Sequence, residues 1–179
     1  YVKIPFEEKL VQNTKSGGIG TDEIALEGIA NTIVEEMEED TYYIMGSGTS
    51  IRPIMEKLNL PNTLLGIDII KNKELIASDV NEKQILNTIQ GERAKIIVTV
   101  IGGQGYIFGR GNQQISGEVI RQVGKGNIQV VATKNKLLSL EGRPLLIDTG
   151  DKEVNTAFNG YIRVLIGYKS ETLEKVIGL

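Results

Sequence analysis

Ile101-Gly-Gly-Gln-Gly-Tyr-Ile-Phe-Gly-Arg-Gly-Asn-Gln-Gln-Ile115 directly follows Lys95-Ile-Ile-Val-Thr-Val-Ile101, the most apolar run of the chain. The apolar run predicts a buried strand. The five glycines after it let the backbone take positive φ and approach a neighbour closely. One Arg, one Asn and three Gln side chains accompany them. Two interpretations stay open: a ligand-binding loop, which the residue types favour, and a glycine-rich hairpin with polar residues on its surface.

Further apolar runs surround this predicted strand, at residues 42–45, 64–70, 128–132 and 144–147. Each is followed by a turn or by a helical pattern. Continuous Ile, Val and Leu strands that alternate with helices indicate an α/β fold, with a mostly parallel, Rossmann-like sheet covered by helices on both faces. Antiparallel strands are expected at its periphery, near the termini. We expect an N-terminal strand and linker over residues 1–20 and an α/β nucleotide-binding-like domain over residues 21–179.

Three helix boundaries are predicted from local signals. A helix is expected over residues 22–39, after a flexible turn at residues 16–20. Asp79-Val-Asn-Glu82 resembles a capping box that opens a second helix. Thr133 is a good N-cap for a third helix, over residues 134–140.

The composition excludes several classes of chemistry. The sequence has no Cys and no His, which excludes thiol nucleophiles, Ser-His-Asp triads, disulfides and typical zinc sites. The net charge of −3 disfavours nucleic acid as a partner. No apolar run approaches the roughly 18 residues of a spanning helix, and no secretory signal is visible. We therefore expect a cytoplasmic protein without a membrane or nucleic-acid partner.

Polar or glycine-rich loops follow four of the predicted strands, after Met45, Ile101, Ala132 and Ile147. Ligands of open parallel sheets bind outside the carboxyl ends of the strands. The four loops are therefore predicted to converge on one crevice.

The first of these loops, Gly46-Ser-Gly-Thr-Ser50, has small residues and hydroxyls at a predicted helix N-terminus. Free amides there favour phosphate, and Arg52 could add a bidentate contact. The loop lacks the Gly-Lys-Ser/Thr ending of a P-loop and the third glycine of a dinucleotide fingerprint. A plain tight turn is the alternative.

Three aspartates leave alternatives open. Asp68 lies in an apolar strand, so its burial demands a partner. It could orient a sugar hydroxyl or a metal-bound water, or pair with an Arg. Asp148 and Asp151 could bind Mg²⁺ or ribose hydroxyls, or cap the next helix, which is the favoured role for Asp151.

Five stretches together resemble the predicted ATP- or polyphosphate-dependent NAD kinases of the AcoX type. They are Ile44-Met-Gly-Ser-Gly-Thr-Ser-Ile-Arg52, Leu60-Pro-Asn-Thr-Leu-Leu-Gly-Ile-Asp68, the Ile101–Ile115 stretch, Val130-Val-Ala-Thr133 and Gly142-Arg-Pro-Leu-Leu-Ile-Asp-Thr-Gly-Asp151. The resemblance implies phosphoryl transfer to the 2′-hydroxyl of the adenosine ribose of NAD, giving NADP. It implies ATP or polyphosphate as donor and Mg²⁺ as cofactor. We also expect a homo-oligomer.

The resemblance does not identify a catalytic residue. In the wider NAD kinase family a Gly-Gly-Asp-Gly-Thr loop of an N-terminal domain carries the catalytic Asp. Ser16-Gly-Gly-Ile-Gly-Thr-Asp22 has Ile19 at that place, and we interpret this likeness as coincidence. The chain is therefore expected to be the C-terminal portion of such an enzyme, inactive alone. Ordinary NAD kinases also have an all-β C-terminal half, whereas this sequence indicates α/β.

The expected site consists of the residues of the strand-end loops, with Arg52 and Arg110 on phosphate and Asp68 and Asp148 on ribose or Mg²⁺. Its members are Gly46, Ser47, Gly48, Thr49, Ser50, Arg52, Asp68, Gly102, Gly103, Gln104, Gly105, Arg110, Gly111, Asn112, Gln113, Gln114, Thr133, Asp148 and Thr149. Two alternative functions remain: a sugar-phosphate-binding enzyme of isomerase type, and a non-catalytic domain that senses nucleotides.

Overall fold

The structure is a computed structural model that describes residues 14–179, with the backbone alone for residues 14–19. In chain order, the elements of the first part are α1 (Thr14–Glu36), β1 (Tyr42–Met45), α2 (Arg52–Lys57), β2 (Asp68–Lys71), β3 (Glu74–Ala77), α3 (Glu82–Ile89), β4 (Ala94–Thr99) and β5 (Tyr106–Phe108). Those of the second part are α4 (Gly117–Val123), a 3₁₀ turn (Lys125–Asn127), β6 (Ile128–Val131), α5 (Lys134–Leu138), β7 (Leu145–Ile147), α6 (Lys152–Ala157), β8 (Gly160–Gly167) and β9 (Ser170–Gly178).

The nine strands of the described residues form one sheet in the order β3-β2-β1-β4-β6-β8-β9-β7-β5. β1, β4, β6 and β8 are parallel to one another. β9 is antiparallel to β8, and β7 and β5 run parallel to β9. The sheet thus consists of two parallel blocks that run in opposite directions, with β2 and β3 as an antiparallel edge.

Helices cover both faces of the β1–β4–β6 region. Alternate residues of a strand point to opposite faces of the sheet, so each strand packs against both layers of helices. Tyr43 and Met45 of β1 pack with buried residues of α1 and α2, such as Ile29 and Ile54. Ile44, between them, packs on the other side in the core that includes residues of α3, α4 and α6. The predicted class, α/β with a mostly parallel sheet and helices on both faces, is confirmed.

Several predicted boundaries are corrected. Helix α1 begins at Thr14 and ends at Glu36, so the backbone of residues 16–20 is helical and does not form the predicted flexible turn. The predicted strand at residues 1–4 lies outside the described residues. The capping box of α3 is formed by Asn81 and Gln84, two residues later than predicted. Asp79 has φ of 51° and donates its N–H to Asp68 Oδ1, so it lies in the preceding turn.

The prediction of a loop over residues 101–115, after β4, is also corrected, because this stretch contains the strand β5. Ile101 and Tyr106 exchange two backbone hydrogen bonds, of 2.7 and 3.1 Å, and β5 follows. The stretch therefore contains a hairpin, and its role in binding a ligand stays a prediction. No helix within residues 14–179 is both long enough and apolar enough to cross a membrane.

Candidate functional site

A cavity of about 770 Å³ lies at the carboxyl ends of β1, β4 and β6, and we call it the crevice. Its walls come from α1, the β1–α2 loop, the loop before β2, the end of β4 and the start of α5. The residues that line it are Asp22, Leu26, Ser47, Gly48, Thr49, Ser50, Leu64, Leu65, Thr99, Val100, Ile101, Gly102, Gly111, Thr133, Asn135, Lys136 and Ser139. A smaller cavity of about 430 Å³ is lined mainly by residues 37–40, far from the strand-end loops.

The β1–α2 loop lies against the end of β4 because two of its residues are glycines. Gly46 donates its N–H to the Ile97 carbonyl at 2.8 Å, and a Cβ on Gly46 would lie 3.1 Å from that oxygen. Gly48 has φ of +120°, and its Cβ would lie 3.0 Å from Thr99 Cγ2. A side chain at Gly46 would crowd the Ile97 carbonyl, and one at Gly48 would crowd Thr99 and strain the backbone at its positive φ.

The same loop presents unused hydrogen-bond donors to the crevice. Among the described residues, no protein acceptor receives the backbone N–H groups of residues 47–50. Ser47, Thr49 and Ser50, which carry hydroxyls, line the same crevice. A run of free amides with adjacent hydroxyls is a suitable receptor for a phosphate group. Since α2 has only six residues, this property rests on the loop and not on a helix dipole.

Thr99, the last residue of β4, contributes a buried polar group. It is 4% exposed and lines the crevice, and its Oγ1 has no hydrogen-bond partner within the part of the chain that the structure describes. Buried hydroxyls normally have a partner. A ligand or a water molecule in the crevice would supply it.

The start of α5 places charge in the crevice. Thr133 is the N-cap, as predicted, and its Oγ1 accepts from Lys136 N at 3.1 Å. Asn135 Nδ2 donates to Asp22 Oδ1 at 3.0 Å, which ties α5 to α1. Of the described residues that line the crevice, Lys136 is the only cation and Asp22 is the only carboxylate. The described lining of the crevice therefore contains one positively charged and one negatively charged side chain.

Sequence reasoning missed both charged residues. Lys136 lies in the first turn after a predicted strand-end loop, so extending that loop by one helical turn would have found it. Asp22 lies on α1, which is adjacent to α5 only in the folded chain. No sequence signal places it there.

The glycine-rich hairpin contributes less to the crevice than predicted. Gly102 and Gly111 line it, whereas Gly103, Gln104, Gly105, Gln113 and Gln114 do not. The reversal of the chain into β5 carries these residues away from the end of β4.

The two predicted phosphate-binding arginines also lie outside the lining of the crevice. The Arg110 guanidinium stacks over the Tyr106 ring at 4.6 Å and donates to Gln104 Oε1 at 3.4 Å. Arg52 is exposed and pairs with Glu56 at 3.2 Å, one turn along α2. In this structure both cations are engaged by neighbouring side chains.

Asn112 has an internal function in the hairpin. It is fully buried, its Oδ1 accepts from Gly109 N at 3.1 Å, and its Nδ2 donates to the Ile107 carbonyl at 2.9 Å. Its side-chain amide is thus committed to holding the chain after β5. We assign it to the support of the hairpin.

Asp68 lies outside the lining of the crevice and pairs with no Arg. It is 3% exposed. Its Oδ1 accepts from Thr63 Oγ1 at 2.7 Å and from Asp79 N at 2.9 Å, and its Oδ2 accepts from Thr63 N at 3.0 Å. The donors belong to the loop before β2 and to the turn after β3, so the carboxylate ties these two segments together.

Asp148 and Thr149 follow β7, and the prediction that this fourth loop joins the crevice is wrong. β7 belongs to the block of strands that runs opposite to β1, β4 and β6. Its carboxyl end therefore lies at the end of the sheet opposite to the carboxyl ends of those three strands. Asp148 N donates to the Phe108 carbonyl at 3.1 Å. Thr149 Oγ1 donates to Asn155 Oδ1 at 2.6 Å. The sequence pattern was right, but the direction of the strand was not readable from it.

Asp151 is the N-cap of α6, as favoured from the sequence, and accepts from Glu153 N and Val154 N. Its carboxylate also pairs with the Arg121 guanidinium. The hydrogen bond from Arg121, followed by that from Val154 N, lowers the pKa of Asp151 below its ordinary value. The same pair raises the pKa of Arg121.

The oxygen atoms of the crevice fit a magnesium ion that is coordinated mainly by the phosphates of a bound nucleotide and by water. Residues 20–179 contain no cluster of three or more acidic side chains that could hold a metal. Mg²⁺ in phosphoryl-transfer sites usually takes one or two carboxylates and completes its shell with phosphate oxygens and water. Asp22 is the one carboxylate among the described residues that line the crevice, and hydroxyl oxygens such as that of Thr99 line it too.

A family model described as the ATP-NAD kinase C-terminal domain matches residues 38–176. The matched span begins just before β1 and ends in β9, so it includes the loops after β1, β4 and β6. Asp22 and Leu26, on α1, lie before it. Comparisons with curated proteins and with solved structures gave no match.

Proposed function

Because the chain belongs to the family of ATP-NAD kinase C-terminal domains, we propose that its crevice binds the nucleotides of an NAD kinase reaction of the AcoX type. The reaction transfers a phosphoryl group from ATP or polyphosphate to the 2′-hydroxyl of the adenosine ribose of NAD. The observation that carries the proposal is the β1–α2 loop: its residues 47–50 have four backbone N–H groups without a protein acceptor among the described residues, and they line the same crevice as Lys136.

The roles proposed for the residues follow from their chemistry. Phosphoryl transfer depends mainly on positioning and on neutralising charge. The amides of residues 47–50 would hold phosphate oxygens, and the ammonium of Lys136 would offset their negative charge. Thr99 and Thr133 add hydroxyls at the floor of the crevice.

The acceptor hydroxyl must lose a proton as its oxygen bonds to the transferred phosphorus and the bond from phosphorus to the donor's bridging oxygen breaks. Asp22 is the carboxylate available for that proton in the crevice, with one oxygen oriented by Asn135. Mg²⁺, when bound, would neutralise charge on the phosphates.

Calorimetry with the chain tests the site. We expect binding of NAD and of ATP in the presence of Mg²⁺. Lys136→Met should weaken binding of ATP about tenfold, because a charge-assisted hydrogen bond contributes roughly 1.5 kcal/mol or more. Lys134→Met is the matched control: it lies on the same helix but outside the lining of the crevice, and it should leave the affinity unchanged.

Two results would overturn the proposal. The first is the absence of binding by NAD, NADP and ATP at millimolar concentration in a chain that is folded by circular dichroism. The second is an equal loss of affinity in the Lys136 and Lys134 variants, which would point to a general charge effect and not to a site.

A further inference from the structure

Two exposed leucines line the crevice together with polar groups of the β1–α2 loop. Leu64 is 54% exposed and Leu65 is 80% exposed, and both line the crevice. We call this pair the leucine lip. Single exposed apolar residues are ordinary on protein surfaces, but two adjacent ones at the rim of a candidate ligand site form a local apolar surface.

The leucine lip is held in place by a buried carboxylate. Asp68, directly after this loop, binds Thr63 through both its N–H and its hydroxyl, and binds Asp79 N on the far side. The carbonyl of Ile67 accepts from Val80 N at 2.8 Å. The two leucines therefore project from a segment that is fixed at both ends.

Gly66 makes this fixation possible. A Cβ at this position would lie 2.5 Å from Asp79 Oδ1 and 2.7 Å from Thr63 Oγ1. The turn that carries the leucine lip thus packs directly against the turn after β3, without space for a side chain between them.

The lining of the crevice combines apolar and polar residues. The apolar ones are Leu26, Leu64, Leu65, Val100 and Ile101, and the polar ones belong mainly to the β1–α2 loop and the start of α5. The leucine lip lies beside the β1–α2 loop, because Asp68, the first residue of β2, pairs with Met45 at the end of β1. A ligand that contacts both the lip and the loop has a flat, weakly polar part joined to a phosphorylated part. A nucleotide has this division, whereas an inorganic polyphosphate lacks the apolar part.

We propose that the leucine lip is the platform for the base ring of a nucleotide whose phosphates lie on the β1–α2 loop, and that Asp68 is its positioning residue. The inference rests on the proposed function and adds to it the residues that would contact the base of the nucleotide. The crevice selects a nucleoside phosphate over inorganic polyphosphate, and the selection comes from apolar contact between the leucine side chains and the ring.

The test compares ATP with inorganic tripolyphosphate, which carries the same number of phosphates without the nucleoside. Both are titrated calorimetrically in the same Mg²⁺ buffer. The Leu64→Ser/Leu65→Ser double variant should bind ATP about tenfold more weakly and tripolyphosphate as the parent chain does. Leu173→Ser, at a 62% exposed leucine of β9 outside the lining, is the matched control and should change neither affinity.

The outcomes separate this inference from the proposed function. If the parent chain binds neither ligand, the inference fails, and the proposed function fails with it when NAD and NADP do not bind either. If it binds ATP and the double variant keeps that affinity, the proposed function stands and the leucine lip is not a base platform. Equal weakening of both ligands would also overturn the inference, because it would mean a distorted loop. The inference would also fail if the double variant kept its affinity for ATP but showed a lower mass than the parent chain in sedimentation. That result would mean that the leucine lip is a contact between copies of the chain.

Asp68→Asn tests the positioning role. The amide keeps one oxygen as an acceptor but presents a second N–H to Thr63 N, so the loop loses one anchor. We expect the ratio of ATP affinity to tripolyphosphate affinity to fall several-fold at a temperature where the variant remains folded. A purely structural role would lower the melting temperature and leave that ratio unchanged. Thr63→Val, which removes one donor without altering the carboxylate, should lower the ratio in the same direction.

Discussion

At the scale of single residues, the function of an aspartate depends on the donors that surround it. Asp68 accepts three hydrogen bonds from nearby turns and is buried. Asp151 accepts from the first turn of α6 and from Arg121. Asp22 has one oxygen oriented by Asn135 and lies in the crevice. The first two fix local structure, and the proposed function assigns the third to the proton of the acceptor hydroxyl.

Asp151 gives a prediction of pH dependence. Its folded-state pKa is lowered, chiefly by the hydrogen bond from Arg121 and then by that from Val154 N. Its stabilising contribution is therefore present above the unfolded pKa, about 3.9, and is lost as the pH falls through the lower folded value. Asp151→Asn should melt at a lower temperature than the parent chain above about pH 5. The difference should shrink below about pH 4 in melting curves followed by circular dichroism.

The Arg121→Met variant supplies the control for that measurement. The guanidinium is the main cause of the lowered pKa of Asp151. In the Arg121→Met background, the Asp151→Asn substitution should therefore change the melting temperature less, and with a weaker dependence on pH. A constant difference in melting temperature from pH 2 to 7 would mean that the ion pair is not formed in solution.

At the scale of elements, local signals located the helices and strands well. The N-cap at Thr133 and the cap at Asp151 were readable because capping depends on residues three positions apart or fewer. The α3 capping box was displaced by two residues because Asp79 is held in the preceding turn by Asp68, a contact outside the local window. β5 was missed because three residues among glycines do not form a recognisable strand pattern.

Asn81→Ala tests the corrected cap. Asn81 Oδ1 accepts from Gln84 N and Asn81 N donates to Gln84 Oε1, both at 2.8 Å. Removing the side chain should lower the free energy of unfolding by about 1 kcal/mol, measured by urea denaturation. Asn87→Ala, at an exposed position inside α3, is the control and should be neutral or slightly stabilising because alanine favours helix. Equal losses in both variants would show that the box does not form.

At the scale of the whole molecule, the alternation of buried strands and helices was enough to predict the class of fold. It could not give the direction of β7, because that direction follows from pairing with β9, which turns back from β8. The loops after β1, β4 and β6 were therefore placed correctly in one crevice, and Asp148 and Thr149 were not. Asp22 and Lys136 entered the site only through the packing of α1 beside α5.

The arrangement of the sheet also has a consequence for the order in which the chain folds. The β8–β9 hairpin joins residues that are neighbours in sequence, with Gly167 paired to Ser170. By contrast, Tyr42 of β1 pairs with Ala94 of β4, and Ile96 of β4 pairs with Ile128 of β6. Pairings between distant residues close large loops and form slowly.

Pulsed hydrogen exchange during refolding can follow that order. We expect amides of β8 and β9 to become protected before those of β1 and β4, since chains longer than about 150 residues commonly fold through intermediates. Simultaneous protection of both pairs would contradict this order. The three strands whose ends surround the crevice meet only through the distant pairings. A refolding chain would thus form its C-terminal hairpin first and complete the frame of its crevice last.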